Sequence, residues 1–357
     1  MKEYNQKDLL MIWLDSFYGL EYHKKMSFLQ KLQGSKGIKA TVEENKEFIT
    51  KSFGETVYNT VLSSANNEYV NFVLNRLNDK GVRAITLDNP IYPESLKHVD
   101  CPPLVLYVKG NVELLDGKKF GVVGSRKSLA ISHKLAEDYV KNLCEYGFTL
   151  VTGIAVGIDE TVIRTCLKNN GKCISVIAGG FDSVSNKKLF DDLIKTGLAV
   201  SEYPPEVAPL PYFFPVRNRI IAGLSDGVLI VNGGKKSGTI YTAEFAMEYG
   251  KDVFVIPYTP NVESGEGNNQ LIKSGANLTD SFDDIIEFYG IEKKQEEVLE
   301  LSDIERSIIE ILKEGNVHTD KICSALNKQI FEITPILSAL EIKGVIVKSG
   351  FNTYTKI

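Results

Sequence analysis

The pattern of hydrophobic and polar positions divides the chain into three stretches. From residue 1 to about 80, Leu9, Leu10, Ile12, Trp13, Phe17 and Leu20 recur at near-helical spacing. Phe28, Leu29 and Leu32 continue the pattern past Gly19, and a third helical run covers Val57–Leu77. The stretch predicts a helical packing unit. The Gly19-Leu20 turn between two of its helices is also compatible with a helix-hairpin-helix, whose turn amides bind DNA backbone.

From 81 to 290 the pattern changes to short apolar runs alternating with amphipathic ones. The runs Phe120–Val123, Phe148–Thr152, Cys173–Ala178, Leu198–Val200, Val228–Val231 and Val253–Ile256 read as strands. Between them, His133–Glu145, Asp159–Lys168, Lys187–Lys195 and Thr242–Tyr249 read as helices. Continuous apolar strands separated by helices imply an α/β fold with a mainly parallel, doubly wound sheet buried on both faces. Residues 291–300 are a charged linker. Residues 301–357 form a small terminal unit of three helices and a hairpin, the winged-helix pattern. Ser302 is the expected N-cap of its first helix, and Pro335 is expected in the first turn of its third. Acidic and basic residues nearly balance there, which favours a protein-contact or dimerisation role over DNA reading.

Composition narrows the classes. The 357 residues are 43% hydrophobic and 24% charged, enough for sizeable cores, so wholesale disorder is excluded. No stretch approaches the roughly 18 apolar residues of a membrane span. Met1 to Asp8 has no basic segment leading into an apolar one, so no secretory signal is expected and the expected location is the cytoplasm. Five scattered cysteines without a Cys-x-x-Cys pair fit a reducing compartment, and the four histidines lie far apart, so no metal site is expected. The net charge of −5 leaves room for a local basic pocket on an acidic body.

Candidate chemistry gathers in the loops that follow the strands. These are Gly124-Ser125-Arg126, Gly153–Asp159 with Gly157, Gly179-Gly180-Phe181, and Gly233–Thr239 with Ser237-Gly238-Thr239. In a parallel sheet such loops share one ledge. Glycine lets backbone amides approach a ligand, and helix N-termini favour phosphate. Arg126, Arg217 and Arg219, with Lys187 and Lys188, supply positive charge, and Phe181, Tyr203, Phe213 and Phe214 lie among them. Basic groups interleaved with aromatic faces suit single-stranded nucleic acid. The alternative for each arginine is a structural ion pair, with Asp159 or Glu202 as partner.

Absences weigh against enzymes. There is no Gly-x-x-x-x-Gly-Lys-Ser/Thr phosphate loop and no Gly-x-Gly-x-x-Gly dinucleotide fingerprint, and no catalytic serine or cysteine set appears. One run, Gly233-Gly234 to Gly238-Thr239 and Glu244, is similar to the motif of Rossmann-type nucleotide phosphoribohydrolases. That alternative would make Glu244 act on a ribose.

Several segments, in order, resemble the DNA-processing protein A (Smf) family. They are Tyr92-Pro93, Pro102–Gly110, Val123–Arg126, Gly153–Asp159, Ser201–Pro205, Phe214–Ser225 with Arg217-Asn218-Arg219, Ser237–Thr239 with Thr242-Ala243, and Gly267-Asn268 with Leu271-Ile272. The likeness spans residues 82–280. It implies a Rossmann-like domain that binds single-stranded DNA without catalysis or cofactor, forms a homodimer, and loads the RecA recombinase on incoming strands in natural transformation. It implies flanking units of helical SAM or helix-hairpin-helix kind (1–80) and of winged-helix kind (301–357). By position, Arg126 would grip a phosphate, Phe214 would contact a base, and Arg217, Asn218 and Arg219 would border the pocket. Gly153, Gly157, Ser237, Gly238, Thr239 and Asn268 complete the implied site. Pro211 stands where many members carry a lysine, and Lys187 and Lys188 are candidates to replace that charge. The pair after the fifth strand is Asn232-Gly233 rather than Glu-Ala.

Overall fold

The computed structural model describes residues 4–17, 22–32, 37–293, 301–313 and 315–356. Gly19-Leu20 and residues 294–300 of the expected linker lie outside them. The chain forms two compact units, 1–290 and 291–357.

Among the described residues, the first unit begins with six helices: α1 (Gln6–Asp15), α2 (Tyr22–Leu32), α3 (Ile38–Glu44), α4 (Lys46–Phe53), α5 (Glu55–Ser64) and α6 (Asn67–Asp79). The run predicted as one helix over Val57–Leu77 is two. Asn66 takes extended backbone and its side chain accepts the Tyr69 amide, which caps α6. Trp13 is fully buried, and its indole donates to Ser64 O at 3.0 Å.

Nine strands follow: β1 (Arg83–Thr86), β2 (Val105–Gly110), β3 (Lys119–Val123), β4 (Thr149–Thr152), β5 (Lys172–Val176), β6 (Leu198–Ser201), β7 (Gly227–Ile230), β8 (Asp252–Val255) and β9 (Asn277–Leu278). The helices among them are α7 (Glu94–Lys97), α8 (Ala130–Glu145), α9 (Ile158–Lys168), α10 (Lys187–Thr196), α11 (Phe213–Leu224), α12 (Gly238–Glu248), α13 (Glu266–Lys273) and α14 (Phe282–Phe288). The strand order is β1-β2-β6-β5-β4-β3-β7-β8-β9. β1, β2 and β6 pair antiparallel, and every other neighbour pair is parallel. The six predicted strands are present as β3 to β8. β1, β2 and β9 extend the sheet at its edges.

The helices at the start share a core with the sheet. On β2, Leu106 and Val108 point into one hydrophobic cluster, with Val176, Val200 and Ile220. Val105 and Tyr107 point into another, with Trp13, Phe28 and Val61. That alternation is the period of two of a strand covered on both faces. A buried polar link crosses the same boundary. Asp15 accepts from Lys25 Nζ at 2.8 Å and from the Tyr107 hydroxyl at 3.0 Å. Thr86 donates to Asp8 nearby.

The second unit contains α15 (Asp303–Leu312), β10 (Val317–His318), α16 (Thr319–Leu326), α17 (Ile330–Ile342), β11 (Ile346–Gly350) and β12 (Thr353–Lys356). Its antiparallel sheet has the order β10-β12-β11, with Ile308, Leu312, Ile322, Ile333 and Leu337 in the core. Ser302 caps α15, as its sequence position predicts. Pro335 does not lie in the first turn of α17. Gln329 and Glu332 form a capping box that starts the helix earlier, and the proline falls inside it.

Candidate nucleic-acid interface

The order in which the chain lays strands across the parallel sheet reverses between β3 and β7, which leaves a crevice beyond their carboxyl ends. A cavity of about 670 Å³ occupies it. Its walls come from four segments: Val123–Lys127 after β3, Ala155 and Asp159 at the start of α9, Pro209 to Asn218 leading into α11, and Ser237–Thr239 opening α12. The first turns of α9, α11 and α12 therefore border one space, where their helix dipoles favour an anion.

The loop after β3 is held from both sides. The Ser125 amide donates to Asn232 O and to Asn232 Oδ1, each at 3.0 Å, which ties β3 to the end of β7. On the other side, Gly157 has φ +100°, and a Cβ there would sit 2.5 Å from Ser125 O and 2.8 Å from Arg126 Cα. Only glycine allows α9 to start that close to the loop.

Arg126 is exposed at the mouth of the cavity, with its guanidinium 4.5 Å from the centre of the Phe214 ring. No carboxylate among the described residues lies within ion-pair distance of it. The pair thus offers a planar cation and an aromatic face side by side. Lys127 beside it also lines the cavity. Three basic side chains, Arg126, Lys127 and Arg217, stand against one carboxylate, Asp159. A smaller cavity of about 320 Å³ lies behind the pair, lined by Ile154, Val156, Gly179 and Gly180 among others.

The Arg-Asn-Arg segment behaves differently from what its sequence position suggests. All three residues lie in the second turn of α11 and are buried. Arg217 donates to Val176 O at the end of β5, and its Nε donates to Asn218 Oδ1 at 3.2 Å. It converges with Asp159 on Gly153, where a Cβ would lie 2.2 Å from Asp159 Oδ2 and 2.5 Å from Arg217 Nη1. Burial raises the Asp159 carboxyl above its ordinary value, with the Arg217 charge acting against that rise. Asn218 donates to Gly238 O at 2.9 Å. Arg219 donates to Glu202 Oε2 at 2.7 Å and to Cys101 O at 3.0 Å. The ion pair with Glu202 explains why Arg219 is held above its ordinary value even though burial pulls the other way. The structural-pair alternative therefore describes Arg219. Arg217 combines both descriptions, because it lines the cavity while it braces the fold.

Other sequence-derived candidates separate in the same way. Gly124, Ser125, Arg126, Phe214, Arg217, Asn218, Ser237, Gly238 and Thr239 line the cavity. Gly153 and Gly157 lie beneath it as close-approach positions. Lys187 and Lys188 are exposed on α10 and outside the cavity wall. The Lys187 ammonium is used locally, donating to Phe181 O and Asp182 O at 3.2 and 2.7 Å. Asn268 is fully buried, and its amide donates to the Ile230, Val231 and Ile256 carbonyls, which staples α13 to β7 and β8. Glu244, on which the phosphoribohydrolase alternative rests, is exposed on α12 and does not line the cavity. Lys127 and Pro209 are lining residues that motif reading did not single out. Only the adjacency of Lys127 to Arg126 gave a signal.

The sequence model of the DNA recombination-mediator protein A family matches residues 83–290. The chain is similar to the DNA processing protein DprA of Bacillus subtilis, 39% identical over 219 residues, covering 60% of this chain and 74% of that protein. It is 40% identical over 198 residues to DprA of Streptococcus pneumoniae, covering 55% and 70%. In structure it is similar to DNA processing protein A of Streptococcus pneumoniae, with a TM-score of 0.68 at 28% identity, over 82% of this chain and all of that one. It is also similar to DNA processing protein A of Helicobacter pylori, a protein with a described single-stranded DNA binding mode. There the TM-score is 0.53 at 29% identity, over 58% and 95% of the two chains.

Proposed function

The chain belongs to the DNA recombination-mediator protein A family, and from that premise we propose that its switch-point cavity binds single-stranded DNA. The observation that carries the reading is the unpaired Arg126 guanidinium over the Phe214 ring at the mouth of a cavity bordered by the first turns of three helices. A phosphate is neutralised and hydrogen-bonded by the Arg126 guanidinium and the Lys127 ammonium. A base stacks on the free side of the aromatic pair. A duplex hides its bases, so the same pair discriminates against it. No proton transfer or covalent step is assigned to the site, and its role is to hold a strand.

The wider role follows from the family as part of the same proposal. A homodimer covers incoming single strands and hands them to a RecA-type recombinase during DNA uptake or recombination. The test of the binding step is fluorescence anisotropy of labelled oligo-dT and of a matched duplex at two salt concentrations. Preference for the single strand, with affinity falling as salt rises at roughly −0.7 in log–log slope per phosphate neutralised, supports the reading. Equal affinity for both forms, or none for either, refutes it. The handover is tested by recombinase filament formation on strands coated with single-strand-binding protein, with and without this chain.

A further inference from the structure

We propose that the smaller cavity behind the Arg126–Phe214 pair is a one-base subsite, which takes an unpaired nucleobase next to the one stacked at the larger cavity. The inference rests on the single-strand reading of the site and adds residues to it.

The pair divides two spaces. Arg126, Pro209, Phe214 and Arg217 line both the larger cavity and the smaller one. A strand that crosses the pair with a phosphate on Arg126 therefore has consecutive bases on its two sides. The smaller space holds about 320 Å³. That is the lower end of the range of ligand pockets, roughly 300–1,000 Å³, and suits one base rather than a stacked run.

The lining is that of a base pocket and not of a phosphate cradle. The segment that forms its floor has spent its amides. Ile177 N donates to Val200 O at 2.8 Å, Gly180 N to Val207 O at 2.7 Å, Asp182 N to Pro205 O at 3.0 Å and Ser183 N to Gly180 O at 3.1 Å. No carboxylate lines the space, and its walls include the buried side chains of Ile177 and Val184. Val156 stands at its rim with 66% of its surface exposed, an apolar side chain that a bound base covers. Besides the two arginines, its polar side chains are Ser183 and Ser185, and neither hydroxyl has a protein partner among the described residues. A hydroxyl both donates and accepts, so the two meet the edge of any base.

The floor is also rigid. A Cβ on Gly180 would lie 2.2 Å from Pro205 O, so glycine there serves close packing against residues 204–209. Ser201 Oγ donates to Gly179 O at 2.7 Å and fixes the loop from beneath. A base enters without the cost of ordering that loop.

The experiment fills the pocket with Ser183→Leu and measures anisotropy at two salt concentrations on two strands. One is oligo-dT, and the other has the same length and phosphates but abasic residues throughout. The expected result is oligo-dT binding weakened about five- to thirtyfold, with the abasic strand within about twofold and the salt slope unchanged. Equal weakening of both strands, or a salt slope lowered by about 0.7, overturns the inference and assigns the pocket to a phosphate. Unchanged oligo-dT affinity also overturns it and leaves the single-strand reading intact. Absence of oligo-dT binding by the unaltered chain refutes that reading, and the subsite falls with it. If Ser183→Leu does not fold, Ser185→Leu at the exposed neighbouring position must weaken oligo-dT and spare the abasic strand for the inference to stand.

Discussion

Replacing Arg219 with methionine tests whether the most recognisable segment of the chain serves the ligand or the fold. Its side chain is 8% exposed and that of Glu202 is 13% exposed, so water screens little of their interaction. The substitution deletes the 2.7 Å bond to Glu202 and the 3.0 Å bond to Cys101 O, and it leaves the carboxylate buried and alone. Breaking one side of such a pair costs about 3–5 kcal/mol. With a urea m-value of roughly 3 kcal/mol/M, the unfolding midpoint falls by about 1–1.7 M. The pair is itself incompletely satisfied, since Glu202 Oε1 and Arg219 Nη1 have no hydrogen-bond partner among the described residues. The double variant Arg219→Met with Glu202→Leu therefore recovers at least half of the loss, because removing both charges leaves nothing uncompensated. Urea unfolding followed by circular dichroism reads all four corners of the cycle. A single-variant loss below about 1 kcal/mol refutes the reasoning, and so do strictly additive effects. A loss of oligo-dT affinity with stability unchanged would return Arg219 to the ligand.

Arg126→Ala has the opposite signature: oligo-dT affinity falls about ten- to a hundredfold and the salt slope drops by about 0.7, while the melting temperature stays within a degree or two. Anisotropy and thermal melting of the same preparation check both halves. Gly153→Ala forces a Cβ to within 2.2 Å of Asp159 Oδ2, so it destabilises the sheet unit by roughly 1–3 kcal/mol in urea unfolding and lowers affinity through the displaced Arg217. In the second unit, the Lys343 ammonium 2.6 Å from Glu305, helped by the Ser302 amide, holds that carboxyl down at about 2. A depressed carboxylate stabilises above its unfolded value of about 4.3 and loses that contribution as pH falls toward 2. Lys343→Met weakens that acid dependence in thermal melts between pH 5 and 2.

The sheet was legible because its strands are parallel and doubly covered, so each reads as an unbroken apolar run. β9 has two residues and offers no pattern. β2 entered only as a piece of the family resemblance, although Leu104–Val108 is an unbroken apolar run of the same kind. The break between α5 and α6 was written in Asn66, whose capping role competes with the helical period around it. The cavity's loops were legible for the same reason as the strands, since their glycines and helix starts are local. What sequence could not separate was a free arginine from a satisfied one. Arg126 and Arg219 look alike along the chain. Their difference lies in Glu202, Cys101 and Phe214, which are 17, 118 and 88 positions from the arginines they meet.

The second turn of α11 also has a consequence for how the chain folds. Its three consecutive side chains close contacts to Val176, Gly238 and Cys101, at sequence separations of 41, 20 and 118. None of these contacts can form until β5, the start of α12 and the segment before β2 are already in place. Closures of that length are slow, because their entropy is lost before the contact is gained. The docking of α11 is then expected among the last events of folding. The wall carrying Phe214 arrives with it, so a nascent or partly folded chain lacks the cavity to which strand binding is proposed. Binding competence becomes a property of the finished molecule, and a refolding experiment would see it appear after most of the sheet.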